Sequence, residues 1–202
     1  MENIINTREP NFGNDAEKYG KFGESDFKEY YKSLGFIVED VSQTLEFQLS
    51  DIDFLISKKP IPMHRYREII NARNTSNREV FKAEVKTDTM AYKTRNIVYE
   101  IIAHDSAGCL AASKADFVYY VFVEEVGTEL VKREAWSVNL YKWRQYLREK
   151  FFDSKVSMDE SVNVWGIHRS NISRNGINGA SLLCNIDKLA EHGIAKRCVV
   201  KQ

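Results

Sequence analysis

The stretch Asp116-Phe117-Val118-Tyr119-Tyr120-Val121-Phe122-Val123 contains a single charged residue, at its first position. A run this apolar, built from branched and aromatic side chains, reads as a β-strand buried on both faces. Such a strand needs a covering layer on each side, so the chain reads as α/β: a mixed central sheet flanked by helices. Its 202 residues suit one domain, or one domain with a substantial extension.

A second stretch, Val80-Phe81-Lys82-Ala83-Glu84-Val85-Lys86-Thr87, alternates at period two. As a strand it would point Phe81, Ala83 and Val85 to one face and Lys82, Glu84 and Lys86 to the other. Glu84 and Lys86 then stand side by side, roughly 6.5–7 Å apart along the strand. An anionic ligand next to a fixed cation is either a surface ion pair or part of a site, and the surrounding elements decide which.

Upstream, residues 1–20 are polar and read as an irregular arm. Phe27, Tyr30, Tyr31 and Leu34 recur at helical spacing, predicting a helix over 24–34 that Ser25 or Asp26 caps and Gly35 ends. Glu24 then sits at the helix entrance, either as a charge favouring the helix dipole or as an acid leaning toward a site. Strands are predicted at 36–41 and 49–57. On the second, Ile52, Phe54 and Ile56 share one face and Asp51, Asp53 and Leu55 the other. Two aspartates in a strand are unfavourable unless paired or bound to metal.

Between Ser57 and Val80 lies a long connection in which Lys58, Lys59, Arg65, Arg67, Arg73 and Arg78 outnumber the acids. It reads either as a solvated loop with a short helix at 66–72 or as an arm gripping phosphates. A polar turn over 87–95 leads to a strand at 96–102 and a small-residue helix at 106–115. After the buried strand come an edge strand at 133–138, a helix at 140–152, a polar loop at 153–161 and an Asn-, Ser- and Arg-rich stretch at 164–178. A helix at 180–191 and a strand at 194–200 close the chain.

In order, these elements are helix, strand, strand with Asp53, basic connection, strand with Glu84-Val85-Lys86, small-residue helix and buried strand. This resembles the PD-(D/E)xK nuclease superfamily, the restriction-endonuclease-like fold, over about residues 24–123. Ile52 stands where the superfamily often has proline before the aspartate. The resemblance implies an N-terminal arm over 1–20, a nuclease core over 21–125 and a C-terminal α/β extension over 126–202 packed on it. It implies a metal-dependent endonuclease hydrolysing phosphodiester bonds in DNA, with Asp53, Glu84 and Lys86 catalytic. Asp53, Glu84 and the backbone carbonyl of Val85 would hold Mg²⁺, with Mn²⁺ as substitute. Glu24, Asp51, Thr87, Asn96 and Glu100 are accessory candidates, and Lys58, Lys59, Arg65, Arg67 and Arg73 candidates for nucleic-acid contact. The alternative is a non-catalytic module on the same fold that binds nucleic acid or protein. A symmetric homodimer would let two sites cut both strands.

The chemistry of these residue types agrees. Mg²⁺ prefers oxygen ligands and takes one or two carboxylates plus water. Lys86, beside two acids, is better suited to hold water and offset transition-state charge than to act as a free-amine base.

Charge and cysteine usage narrow the classes further. Basic and acidic residues balance at 29 each, which favours no partner by itself. The three cysteines, Cys109, Cys184 and Cys198, have no zinc or redox spacing and read as buried thiols of a reduced, cytoplasmic protein. No secretory leader, membrane span or internal repeat is evident. No Gly-rich phosphate loop exists, which argues against a nucleotide hydrolase. His64, His104, His168 and His192 show no ligand spacing.

Overall fold

The computed structural model describes residues 12–72, 79–103, 106–150, 167–174 and 177–199. Expectations for the first eleven residues, Arg73, Arg78, His104 and the polar loop at 153–161 lie outside them. The fold is mixed α/β. Its elements run α1 (Phe12–Ser33), β1 (Ile37–Asp40), α2 (Leu45–Gln48), β2 (Phe54–Ser57), a 3-10 turn (Met63–Arg65), α3 (Tyr66–Asn71), β3 (Val80–Asp88) and α4 (Ala91–Thr94). They continue with β4 (Asn96–Ala103), β5 (Ser106–Ala107), α5 (Cys109–Ala112), β6 (Phe117–Val126), β7 (Glu129–Asn139) and α6 (Leu140–Arg148). The last are β8 (Ile167–Arg174), β9 (Ile177–Asn185), α7 (Ile186–Glu191) and β10 (Ala195–Arg197).

Among the described residues two sheets form: a six-stranded one in the order β1-β2-β3-β6-β7-β10 and a four-stranded one in the order β5-β4-β9-β8. In the larger sheet β1, β2 and β3 form an antiparallel meander, and β6 lies parallel to β3 with Ala83 opposite Phe117 and Lys86 opposite Tyr120. The parallel step needs a crossover, and α4, β4, β5 and α5 supply it.

The expected two-faced burial of the central strand is observed. On one face Tyr119, Val121 and Val123 pack with Phe54, Ile56 and Ala83 beneath α1. Phe27 is fully buried there, its ring 4.8 Å from that of Phe54 and 5.2 Å from that of Tyr119. On the other face Val118, Tyr120 and Phe122 join a larger core with Leu55, Ile97, Leu182 and Trp143.

Helix α1 is longer than predicted, because residues 12–20 continue it rather than forming an arm. Glu24, Ser25 and Asp26 are therefore mid-helix, not at its entrance. Asp26 accepts from the Tyr119 hydroxyl at 2.9 Å and pairs with Lys132 at 2.5 Å instead of capping. The predicted end holds: Gly35 adopts φ +74°, where a side chain would be strained.

The expected strand over 49–57 shortens to 54–57. Residues 45–48 form α2, and the chain leaves it through Asp51 at φ +48°, a region aspartate tolerates better than most residues. This turn takes Ile52 out of the pleat, so it packs in the larger core with Leu55 rather than beside Phe54.

The predicted edge strand at 133–138 is interior, since β7 pairs with β6 on one side and β10 on the other. The C-terminal stretch thus contributes two strands to the central sheet. The Asn- and Ser-rich region forms a hairpin, β8–β9, and the predicted helix at 180–191 is strand up to Asn185. Leu182 and Cys184 alternate into the core, and Asn185 Oδ1 caps α7 by accepting from the amides of Asp187 and Lys188, both at 3.1 Å. The region 106–115 is split between β5 and the short α5. Gly108 between them lies so close to β4 that a Cβ there would sit 2.6 Å from the Glu100 carbonyl.

Candidate active site

The site forms where β2 begins against the middle of β3. The amide of Asp53 donates to the Ala83 carbonyl at 2.9 Å, the last backbone bond before the two chains part. The Val85 amide, next on that edge of β3, donates instead to Asp53 Oδ2 at 2.8 Å. A carboxylate side chain thus replaces the strand that has turned away.

Glu84 projects from the opposite side of the strand axis into the larger core and is only 6 % exposed. Its carboxyl hydrogen-bonds that of Asp53, and its Oε1 lies 2.8 Å from Lys86 Nζ. Burial pushes Glu84 up to about 7; Lys86 pulls it back and Asp53 pushes it further. Burial likewise raises Asp53, against the pull of the Val85 amide and Lys86. Their mutual contact pushes Glu84 up and Asp53 down, so of the two acids Glu84 is the one favoured to hold a proton.

Three accessory candidates join this centre electrostatically. Asp51 is raised by burial and then by Glu84, with Glu100 adding to the push. Glu100 and Lys86 border one cleft of about 200 Å³, together with Tyr120 and Leu110. Glu24 approaches from α1: burial raises it, and its charge is among those raising Asp53. Its approach depends on Gly23, where a Cβ would overlap Thr87 Oγ1 and lie 3.2 Å from Val85 Cγ1.

The remaining candidates do not converge. Thr87 Oγ1 donates to the Tyr19 carbonyl at 2.8 Å, tying β3 to α1. Asn96 begins β4, four residues from Glu100 and paired with Asn185. The basic connection joins Ser57 to Val80, at the ends of β2 and β3 away from Asp53 and Glu84. From Val80 to Lys86 is about 20 Å of strand. Three of its described cations are also engaged locally. Lys58 donates to the Leu34 carbonyl at 2.9 Å and lies 3.6 Å over the Phe36 ring. Arg67 pairs with Glu46 at 3.2 Å, and Arg65 with Glu68 at 3.5 Å and Glu79 at 3.7 Å. Lys59 is exposed at the same end. The described residues of the expected phosphate-gripping arm thus lie away from the acids.

Sequence reasoning missed the role of Lys82. It shares the face of Glu84 but is 2 % exposed, with Nζ 3.0 Å from the Ala72 carbonyl and 3.4 Å from that of Ile70. It pins the end of α3 to β3, while Asp116 Oδ2 accepts from its amide at 2.9 Å. A buried lysine in a strand is costly unless its ammonium is satisfied, and that cost was the one signal available.

Two adjoining carboxyls are a ligand pair that a divalent cation would fit, since Mg²⁺ takes one or two carboxylates and keeps several waters. They do not make an all-protein cage: among the described residues no three acidic, histidine or cysteine side chains converge on one point. Among those residues, too, no helix is long and apolar enough to cross a membrane. No family model, curated protein or solved structure matches the chain.

Proposed function

We propose that the protein is a metal-dependent nuclease that hydrolyses phosphodiester bonds, with DNA as its substrate and a restriction-endonuclease-like core. The observation that carries this reading is the contact chain Asp53–Glu84–Lys86, in which a half-buried acid adjoins a buried one and a lysine pairs with the second. The element order around it supports the same reading: a helix, an antiparallel meander carrying the acids, and a parallel strand beside the third.

Asp53, Glu84 and the Val85 carbonyl would hold Mg²⁺ or Mn²⁺. The ion would supply Lewis-acid polarisation of the phosphate and a water acidic enough to attack it. Lys86, partly exposed to the cleft that Glu100 also lines, places a positive charge where negative charge grows on the phosphate. Asp53 is oriented by a backbone amide, so its position does not depend on a flexible partner.

The test is incubation of the purified protein with linear, single-stranded, branched and supercoiled DNA in Mg²⁺ or Mn²⁺. The wild type is expected to cleave at least one substrate, and Glu84→Gln and Lys86→Ala to lose that cleavage. No cleavage of any substrate, or cleavage unchanged in both variants, would refute the reading.

One observation favours a second reading, a non-catalytic binding module: Glu84 is already paired with Lys86, and among the described residues no third acid completes a metal-holding group with the pair. Calorimetric titration with Mn²⁺ separates the two. A nuclease site takes up the ion and loses it on Asp53→Asn; a module takes up none.

A further inference from the structure

A second cleft, of about 520 Å³, opens one pleat along β3 from the acids. Its volume lies in the range of small-ligand sites. The end of α3, the residues leading into β6 and the first turns of α6 wall it, and three cations line it (Lys82, Lys114 and Arg144) against one carboxylate, Asp116.

Two of the cations are fixed by backbone oxygens. Lys82 is held by the Ala72 and Ile70 carbonyls. Arg144 Nη2 donates to the carbonyls of Leu110 and Ser113, both at 2.7 Å. Carbonyls satisfy hydrogen bonds but do not cancel a full charge, so the lining stays net positive. Lys114 is exposed, and its ammonium reaches Asn71 Oδ1 at 3.4 Å, a long contact to a neutral group. The ring of Tyr141, 55 % exposed, borders the same space. Cations beside an exposed aromatic face suit a phosphate and a base together.

The cleft is tied to the loop that carries the acids. Ser113 Oγ donates to the Asp51 carbonyl at 3.1 Å, and the Lys114 amide to the Ser50 carbonyl at 2.9 Å. Lys82 precedes Glu84 by two residues on one face of β3, roughly 6.5–7 Å along the strand.

We infer that this cleft holds one nucleotide of the substrate strand beside the bond to be cut, its phosphate on Lys114 and Arg144 and its base against Tyr141. This rests on the nuclease reading above. A base lying on a side-chain ring is out of its own duplex stack, so the strand taken is single or locally unpaired.

The test is binding without cleavage: fluorescence anisotropy of a labelled oligothymidylate of about twelve nucleotides in EDTA, with a duplex of equal length as the comparison arm. Lys114→Ala and Tyr141→Ala change exposed side chains, and thermal melts check that both fold. Tyr141→Ala is expected to weaken single-strand binding about 5- to 150-fold with the salt slope unchanged. Lys114→Ala is expected to weaken it and to lower the slope of log K against log salt by about 0.7. Single strand should bind more tightly than duplex.

Binding by both folded variants equal to wild type, duplex binding as tight as single-strand binding, or no binding at all would overturn the inference. The nuclease reading fails separately. Cleavage lost in Glu84→Gln but unchanged in both cleft variants refutes the cleft alone. Weakened binding in the cleft variants of a protein that cleaves nothing refutes the nuclease and leaves the cleft as a nucleic-acid site.

Discussion

The Val85 amide donates to Asp53 Oδ2 at 2.8 Å, filling the ladder position that β2 leaves when the chain turns away. The aspartate therefore has two jobs: it carries charge into the site and it satisfies a partly buried backbone donor. Asparagine can do the second and not the first. Asp53→Asn is expected to keep most of the stability, while Asp53→Ala strands the amide and costs about 1–3 kcal/mol. Urea unfolding of the two variants measures the difference. Equal stabilities would show that the amide finds another acceptor.

Helix α1 offers a contrast between two of its glycines. At Gly20 a Cβ meets nothing within 4 Å, whereas at Gly23 it would overlap Thr87 Oγ1. Alanine favours a helix interior over glycine by about 1 kcal/mol. Gly20→Ala is therefore expected to be neutral or stabilising by up to that amount. Gly23→Ala is expected to destabilise by about 1–3 kcal/mol, because Thr87 is a short, β-branched residue on a strand and cannot swing clear. Thermal melts compare them. A stabilised Gly23→Ala would mean that α1 does not press on β3 at this point.

The two central strands were legible because their patterns are local: β6 is apolar throughout and β3 alternates. Asp53 and Glu84-Val85-Lys86 could be singled out because acids in strands demand a partner. What escaped depends on neighbours distant in the chain. β7 is interior only because β10 returns to pair with it, and β8 and β9 take their ladder from each other and from β4 despite a turn-like composition. The basic connection is adjacent in sequence to both acid-bearing strands, but a strand has two ends, and Lys58, Arg65 and Arg67 lie at the one away from the acids. Alternation continues through Asp51 and predicts strand there; its left-handed turn follows from α2, a helix too short to leave a periodic signal.

The raised Glu84 carboxyl makes stability depend on pH in a direction opposite to that of an ordinary paired carboxylate. Glu84 rises from 4.5 to about 7, burial being the main cause. Between those values the folded state holds more protons than the unfolded one, so stability falls as pH rises. The stabilising contribution is complete below the unfolded value of 4.5 and is lost as pH climbs through about 7. Its size is at most about 3 kcal/mol. Without divalent metal, the melting temperature of the wild type is expected to drop across this window more than that of Glu84→Gln, whose amide cannot titrate. Mn²⁺ competes with the proton for the same oxygens, so its stabilising effect should be larger at pH 8 than at pH 5. Melting curves from pH 4 to 8, with and without Mn²⁺, test both statements. A drop of the same size in Glu84→Gln would place the titrating group elsewhere. A Mn²⁺ effect independent of pH would mean that the metal does not displace this proton.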